Sequence, residues 1–415
     1  MKRGVHQGLF VKGAGGDTST NLHFHGLHIA GNGNADDVHR HVDGDDVLIY
    51  DLNLPADSHL GGTHWYHSHL YGSALQQIKG GAFGMIVIDD NGHDVGTDDE
   101  NVLAFLKNER LLILDDAKGS WTANGNDGGV EVYSFLQNEW IRLRVLLVGT
   151  NSHRSGGKLK IGDGCTAHAI AHDGIFRFDV PKDQSQSEFF LTASSRLDLA
   201  IRCASDTSIS VTGDPVAKIQ VASGGDSGPT PFESGTNTWK SNRLAYVDDL
   251  SNATPDNHWS VYVQETAIND LHFHQGKPLC NDDGNDFSYG TIQEWVVDGA
   301  RVHPFHTHIF HMQVMNNACG DAHDVGEFYD TIVTSKHNGF SGASSYDGSG
   351  DCKVRLHFVD VNGPMLMHCH IVEHAEEGAM GWINVEGGGV DQPSEPRVQE
   401  CKSGGNCDPP VSYAT

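Results

Sequence analysis

The sequence predicts an all-β protein of several domains, and three observations carry that prediction. The 50 glycines and 13 prolines are spread along the whole chain. Runs of Val, Ile and Leu are short and stand between Gly, Asp and Asn clusters, and few apolar segments recur at helical spacing. A chain of 415 residues also outgrows a single hydrophobic core, which points to roughly two to three domains.

From the N-terminus, a first segment over residues 1–90 closes on the strand-like GAFGMIVIDD at 81–90. A second, 91–230, holds four strand candidates bounded by turn residues: RLLILDD (110–116), EWIRLRVLLVG (139–149), AIAHDGIFRFDV (169–180) and RLDLAIRC (196–203). Gly, Ser and Pro crowd SGGDSGPTPFESGTN (223–237), the clearest linker. A third segment, 238–390, carries the densest histidine motifs, and a Gly/Pro/Cys-bearing tail, 391–415, follows it. The opening MKRGVHQGLFVKGAGG has a basic start but only Leu9, Phe10 and Val11 as an apolar run, too short for the core of a secretory signal. No stretch reaches the roughly 18 to 20 apolar residues of a membrane helix.

The formal net charge is −28, from 27 Lys and Arg against 55 Asp and Glu. A nucleic-acid site needs a basic stripe to meet phosphates, and none is visible, so nucleic acid is excluded as a partner. The acidity reads as a solubility device, with steering of cationic substrates as the sharper alternative. Eight cysteines suit an oxidising compartment. With Cys369 set aside as a ligand, seven remain, so one is expected to be unpaired; Cys401 and Cys407 stand close enough to close a small loop.

Histidine is the anomaly, with 27 in the chain and four clusters among them: HFHG (23–26), HWYHSH (64–69), HPFHTH (303–308) and HCHIVEH (368–374). On a strand the side chains alternate faces, so His23 and His25 share one face, as do His67 and His69. Each His-x-His is a two-toothed comb that can hold two neighbouring metal ions. In His368-Cys369-His370 the same alternation sends the sulfur one way and both imidazoles the other, so adjacent residues reach different metal sites. His303 differs in parity from His306 and His308 and can join the sulfur side, although Pro304 disturbs the strand.

Sorted by side, Cys369, His303 and His374 form a two-His, one-Cys set, the ligand set of a blue copper electron-transfer site. His23, His25, His67, His69, His306, His308, His368 and His370 remain on the other side, enough for about three ions at two or three imidazoles each. Copper is the expected metal, because imidazole suits it and a single thiolate tunes its couple. Structural zinc closes with about four ligands and has no use for eleven. The further pairs HRH (39–41) and HFH (272–274) read as solvated or packing histidines, and His64 as structural.

With these residues in place, the chain resembles the multicopper oxidases of the three-domain, laccase-like kind, built from tandem cupredoxin-like Greek-key β-barrels. The resemblance spans nearly the whole chain and rests on the four clusters in family order, with weaker echoes in GTHWYHSHLYGS (62–73) and GTIQEWVVDGARVHPFHTH (290–308). It implies four copper ions: a type 1 ion on Cys369, His303 and His374, and a type 2 ion on His23 and His306. One type 3 ion would fall to His25, His67 and His370, the other to His69, His308 and His368. It further implies that single electrons from a small reducing substrate, a phenol or aromatic amine, pass by way of Cys369 to His368 and His370, where dioxygen is reduced to water. Asp36 falls where the family often keeps a proton-relay carboxylate, a surface turn Asp being the alternative. Secretion or another location outside the cytoplasm is the family's habit.

Three departures from the family pattern stand out. Ten residues after Cys369, where an axial Met, Leu or Phe is usual, stands Ala379, with Met380 one further on. After His374 stands Ala375 where several relatives place a proton-transferring Glu; Glu376 is the nearest substitute. Only 22 residues precede His23, so the first barrel is expected to lack its opening strands, as in an N-terminally truncated chain. Rival readings are a metallo-oxidase of ferrous or cuprous ion and a non-catalytic copper-binding relative. With only 7 Met, the Met-rich insertion of some cuprous oxidases is not evident. Copper nitrite reductase shares the barrels but does not use both histidines flanking the cysteine as ligands to a coupled pair, so HCH disfavours it.

Overall fold

The computed structural model describes residues 1, 7–12, 19–44, 46–126, 129–150, 156–182, 184–224, 228–232, 238–273, 277–280, 284–320, 322–334 and 352–388. Cys401, Cys407, His274 and most of the 223–237 linker lie outside the described residues. The fold is mostly β with short helices, the longest among the described residues being Glu100–Leu106. By internal packing the chain forms two compact units, one of Met1–His59, Tyr66–Phe83 and Leu244–Thr415, the other of Leu60–Trp65 and Gly84–Arg243. The sequence segments 1–90 and 238–390 thus both contribute to the first unit.

In the first unit, two five-stranded sheets pack face to face. One runs in the order Asn257–Tyr262, Ile292–Asp298, Cys352–His357, Met312–Val314, Phe328–Tyr329; the other runs Phe287–Ser288, Met380–Glu386, Gly363–Cys369, Phe305–Thr307, Thr331–Ile332. Period-two alternation decides what enters the core between them. Along Gly363–Cys369, Met365, Met367 and Cys369 join the core with Trp295, Phe305 and Ile383, whereas Leu366 faces the other way and packs with Met380 and Trp382. A disulfide joins Cys319 to Cys352, and Cys280 is also disulfide-bonded. Two antiparallel ribbons precede these sheets in the chain, Gln7–Lys12 with Val47–Leu52 and Ser19–Thr20 with Val42–Asp43.

The second unit is a sandwich of a six-stranded and a five-stranded sheet. RLDLAIRC forms a strand over the predicted residues, Arg196–Cys203, and EWIRLRVLLVG contributes Ile141–Leu147. RLLILDD becomes Glu109–Asp115, and AIAHDGIFRFDV breaks at Asp173 and Gly174 into Cys165–His172 and Ile175–Phe176. Both turn residues have positive φ, 46° and 84°, which is where a chain reverses most readily at glycine. Ile141, Leu143, Val145 and Leu147 point into the sandwich core. Arg142 and Arg144 point the other way and are nonetheless buried.

Those two arginines are neutralised by a buried network. Both pair with Asp90 and Asp198; Arg144 also donates to Glu109 at 2.6 Å and to the Thr63 hydroxyl at 2.6 Å, and that hydroxyl donates to Asp198 at 2.7 Å. Burial alone would raise the Asp90 carboxyl, but the two guanidiniums override it and hold it below the usual carboxylate range. Cys165 and Cys203 are joined by a disulfide across neighbouring strands.

Candidate metal centre

Cys369 is fully buried at the end of the strand Gly363–Cys369. The backbone then leaves the sheet, and the short helix Val372–Glu376 folds back so that Nδ1 of His374 lies 3.7 Å from the Cys369 sulfur. His303 arrives from the turn before strand Phe305–Thr307, its Nδ1 3.7 Å from the same sulfur and 3.0 Å from Nδ1 of His374. Both imidazoles are half-buried around a buried thiol. Burial, then the neighbouring His374, lowers the His303 pKa to about 4, and burial pushes the Cys369 thiol up to about 12. Without a metal, this group therefore holds a neutral His303 imidazole and a protonated, inert thiol.

The remaining eight histidines converge in the same unit. The strand His23–His25 sends both imidazoles to one side, while Phe24 packs edge-on against Tyr50 at 5.0 Å. His67 ends the strand Gly62–His67, His306 lies within Phe305–Thr307, and His368 precedes Cys369. Three triads each keep their ligand atoms within 4.8 Å of one another: His23, His25 and His306; His25, His67 and His370; His69, His308 and His368. Rings also stack, His25 on His306 within one triad at 3.8 Å and His23 on His308 between two triads at 3.7 Å.

Hydrogen bonds select which nitrogen points inward. Nδ1 of His67, His306 and His368 donates to the carbonyls of Ser68, Asp330 and Cys369 at 2.9, 2.8 and 3.0 Å, which fixes each tautomer and turns Nε2 into the ligand atom. Nε2 of His368, without a proton, then lies 3.1 Å from Nε2 of His69 and 3.3 Å from that of His308. Nε2 of His23 and of His306 is buried with no hydrogen-bond partner among the described residues. Orphaned buried nitrogens on this scale are what a set of metal ligands leaves in the absence of its ions. Burial first, and then the crowd of imidazoles, holds His23, His69, His306, His308 and His370 well below the ordinary histidine range; burial alone lowers His368 to about 4. All are neutral at pH 7, the form that binds metal.

All eleven histidine and cysteine positions singled out by sequence thus fall in these groups, but strand parity explains only part of their placement. It holds for His23 with His25 and for His368 against Cys369. His69, His303, His308, His370 and His374 lie beyond strand ends, set by turns, by Pro304 and by the short helix. Asp36 is buried, not at the surface; its carboxylate accepts from Nδ1 of His23 at 2.7 Å and from the Phe24 amide at 2.8 Å. Burial raises its pKa well above the ordinary value.

Asp330, which sequence reasoning missed, is buried against His25 and His306. The available signal was a carboxylate embedded in the apolar, β-branched run FYDTIV (328–333). Ala379 shares the core with Cys369, and its carbonyl accepts the Cys369 amide at 2.9 Å, whereas Met380 faces the opposite side with Trp382. Glu376 accepts from the Leu75 amide at 3.1 Å, at the start of the helix Ala74–Lys79. His39 packs edge-on to Trp382, His41 is half-exposed beside Asp43, and His64 is buried within the second unit.

Comparison with known proteins places these residues in context. Residues 14–93 and 248–388 match two family models, each described as multicopper oxidase, and together these cover more than half of the chain. Among curated proteins, the multicopper oxidase mco of Staphylococcus epidermidis is 23% identical over 89% of this chain and 77% of its own length. Among solved structures, a multicopper oxidase of Campylobacter jejuni described as a metallo-oxidase matches with a TM-score of 0.68 at 17% identity, covering 92% of this chain and 83% of that one. A laccase of Pediococcus acidilactici matches with a TM-score of 0.69 at 18% identity, over 93% and 82% of the two chains.

Proposed function

Because this chain belongs to the multicopper oxidase family, we propose that it takes single electrons from phenolic or aromatic amine substrates and reduces dioxygen to water. One observation carries the reading: the Cys369 sulfur lies 3.7 Å from both His303 and His374, while its two chain neighbours, His368 and His370, belong to the eight-histidine cluster. Cys369, His303 and His374 would hold one copper ion and His23 with His306 a second. His25, His67 and His370 would hold a third, and His69, His308 and His368 a fourth. Copper bound at these residues supplies one-electron oxidation on the sulfur side and four-electron reduction of dioxygen on the histidine side.

The chain's own residues do the rest. Half-buried His303 and His374 are where a reductant can approach, and a single backbone step joins Cys369 to each flanking imidazole. Burial keeps bulk water from the eight imidazoles. Asp36, buried and hydrogen-bonded to His23, stands where it can pass protons to the cluster. Asp36→Asn is expected to lower turnover by roughly 100-fold and to change its pH profile while the blue colour remains. Unchanged turnover with an unchanged pH profile would remove Asp36 from this role. A location outside the cytoplasm is part of the proposal, supported by the disulfides Cys165–Cys203 and Cys319–Cys352.

Oxygen uptake by the copper-loaded protein tests the reading. Uptake driven by a phenol is the expected result. Uptake with ferrous ion alone would make the protein a metallo-oxidase, as the Campylobacter jejuni neighbour is described. Uptake with neither would leave a copper-binding protein.

A further inference from the structure

We propose that Asp330 is a positioning residue that sets two imidazoles of the histidine cluster, one through its carboxylate and one through its backbone carbonyl. The inference rests on the functional reading above, in which His25 and His306 serve different copper ions.

Asp330 is 1% exposed and immediately precedes the strand Thr331–Ile332, which pairs with Phe305–Thr307 so that His306 stands opposite Thr331. Its carbonyl accepts from Nδ1 of His306 at 2.8 Å and from the Thr307 amide at 3.0 Å. Its Oδ1 accepts from Nε2 of His25 at 3.1 Å and from the Thr331 hydroxyl at 3.1 Å, and Oδ2 lies 3.7 Å from Nε2 of His311.

The two imidazoles lie stacked, 3.8 Å apart and 10° from parallel, yet Asp330 engages opposite nitrogens of them. With Nδ1 of His306 donating to the carbonyl, Nε2 is the ligand atom of that ring. With Nε2 of His25 donating to the carboxylate, Nδ1 is the ligand atom of the other. A buried carboxylate is the stronger acceptor for an imidazole N–H, and such partners fix both ring orientation and tautomer. Without it, His25 loses the acceptor that selects its Nε2 as the donor, while His306, held by a backbone group, keeps its orientation. The residue thus acts on the histidine cluster, whereas the sulfur group is held by contacts among Cys369, His303 and His374.

The test compares wild type, Asp330→Ala and Asp330→Asn for cupric ion bound per chain, cupric affinity, the electron paramagnetic resonance spectrum and the blue colour. Asp330→Ala is expected to keep the blue colour of the Cys369 group while cupric affinity at the histidine cluster falls roughly 10- to 100-fold and the non-blue cupric signal is lost or altered. Asp330→Asn, whose amide oxygen still accepts from His25 without the charge, is expected to fall between. Wild-type copper content, affinity and spectrum in Asp330→Ala would overturn the inference. Should that variant fail to fold, the same unaltered values in Asp330→Asn would overturn it. A wild-type protein that takes up no cupric ion would sink the functional reading too, whereas a copper-replete wild type beside unaltered variants sinks this inference alone.

Discussion

Replacing Cys369 by Ser is expected to abolish the blue colour and the turnover of the copper-loaded protein together. The sulfur is fully buried and lies 3.7 Å from the Nδ1 atom of each of His303 and His374. A thiolate is the soft ligand that gives such a site its colour and tunes its couple, and a serine hydroxyl is hard and stays protonated. Burial has pushed the thiol up to about 12, so copper uptake at this group must release its proton, and the substitution should also cut the proton release that accompanies loading. The fold should survive, since the side chains are nearly isosteric, although a hydroxyl among Met365, Met367 and Phe305 costs about 1–3 kcal/mol. The eight histidines are untouched, so the variant should still take up cupric ion without colour. A variant that stays blue and turns over would show that the electron path does not run through this residue.

The second large effect is on stability against pH in the metal-free protein. Seven imidazoles, those of His23, His69, His303, His306, His308, His368 and His370, have folded-state pKa values below the unfolded 6.5, with burial the leading cause in each. As pH falls through 6.5 the unfolded chain takes up protons that the folded chain refuses, so stability drops; for His303 and His368 the loss is complete only below about 4. For His368 alone, a fall from 6.5 to about 4 corresponds to about 3 kcal/mol. Burial also raises the carboxyls of Asp36, Asp37 and Glu376, which act in the opposite sense, and lowers His39, so three carboxyls stand against eight imidazoles. Denaturant midpoints of the metal-free protein should therefore be clearly lower at pH 5 than at pH 7.5, and copper at neutral pH should raise them by mass action. Equal or higher stability at pH 5 would contradict the burial of neutral imidazoles.

Much of this was legible before any coordinates, for a local reason. Alternating or continuous apolar strands bounded by Gly and Asp, as in Arg196–Cys203, declare themselves over a few residues. The ligand clusters do the same, because a protein that must aim two imidazoles into one gap does so most simply from neighbouring positions on one strand. Strand parity went less far: it placed His23 with His25 and set His368 against Cys369, but His303 reaches the sulfur from a turn and His374 from a helix.

What the sequence determined by itself was therefore the all-β class, the residue types that gather as ligands and, through the family they resemble, the chemistry to expect. What only the tertiary structure decided was which groups hold those ligands still. Asp330 meets His25 across 305 positions of chain, Cys165 finds Cys203 and Cys319 finds Cys352, and Met380 faces away from the sulfur while Ala379 faces toward it. The physical reason is range: side-chain chemistry and strand alternation act over one to a few residues. A buried carboxylate, by contrast, is specified by whichever distant segment brings it a donor, and no local pattern records that meeting.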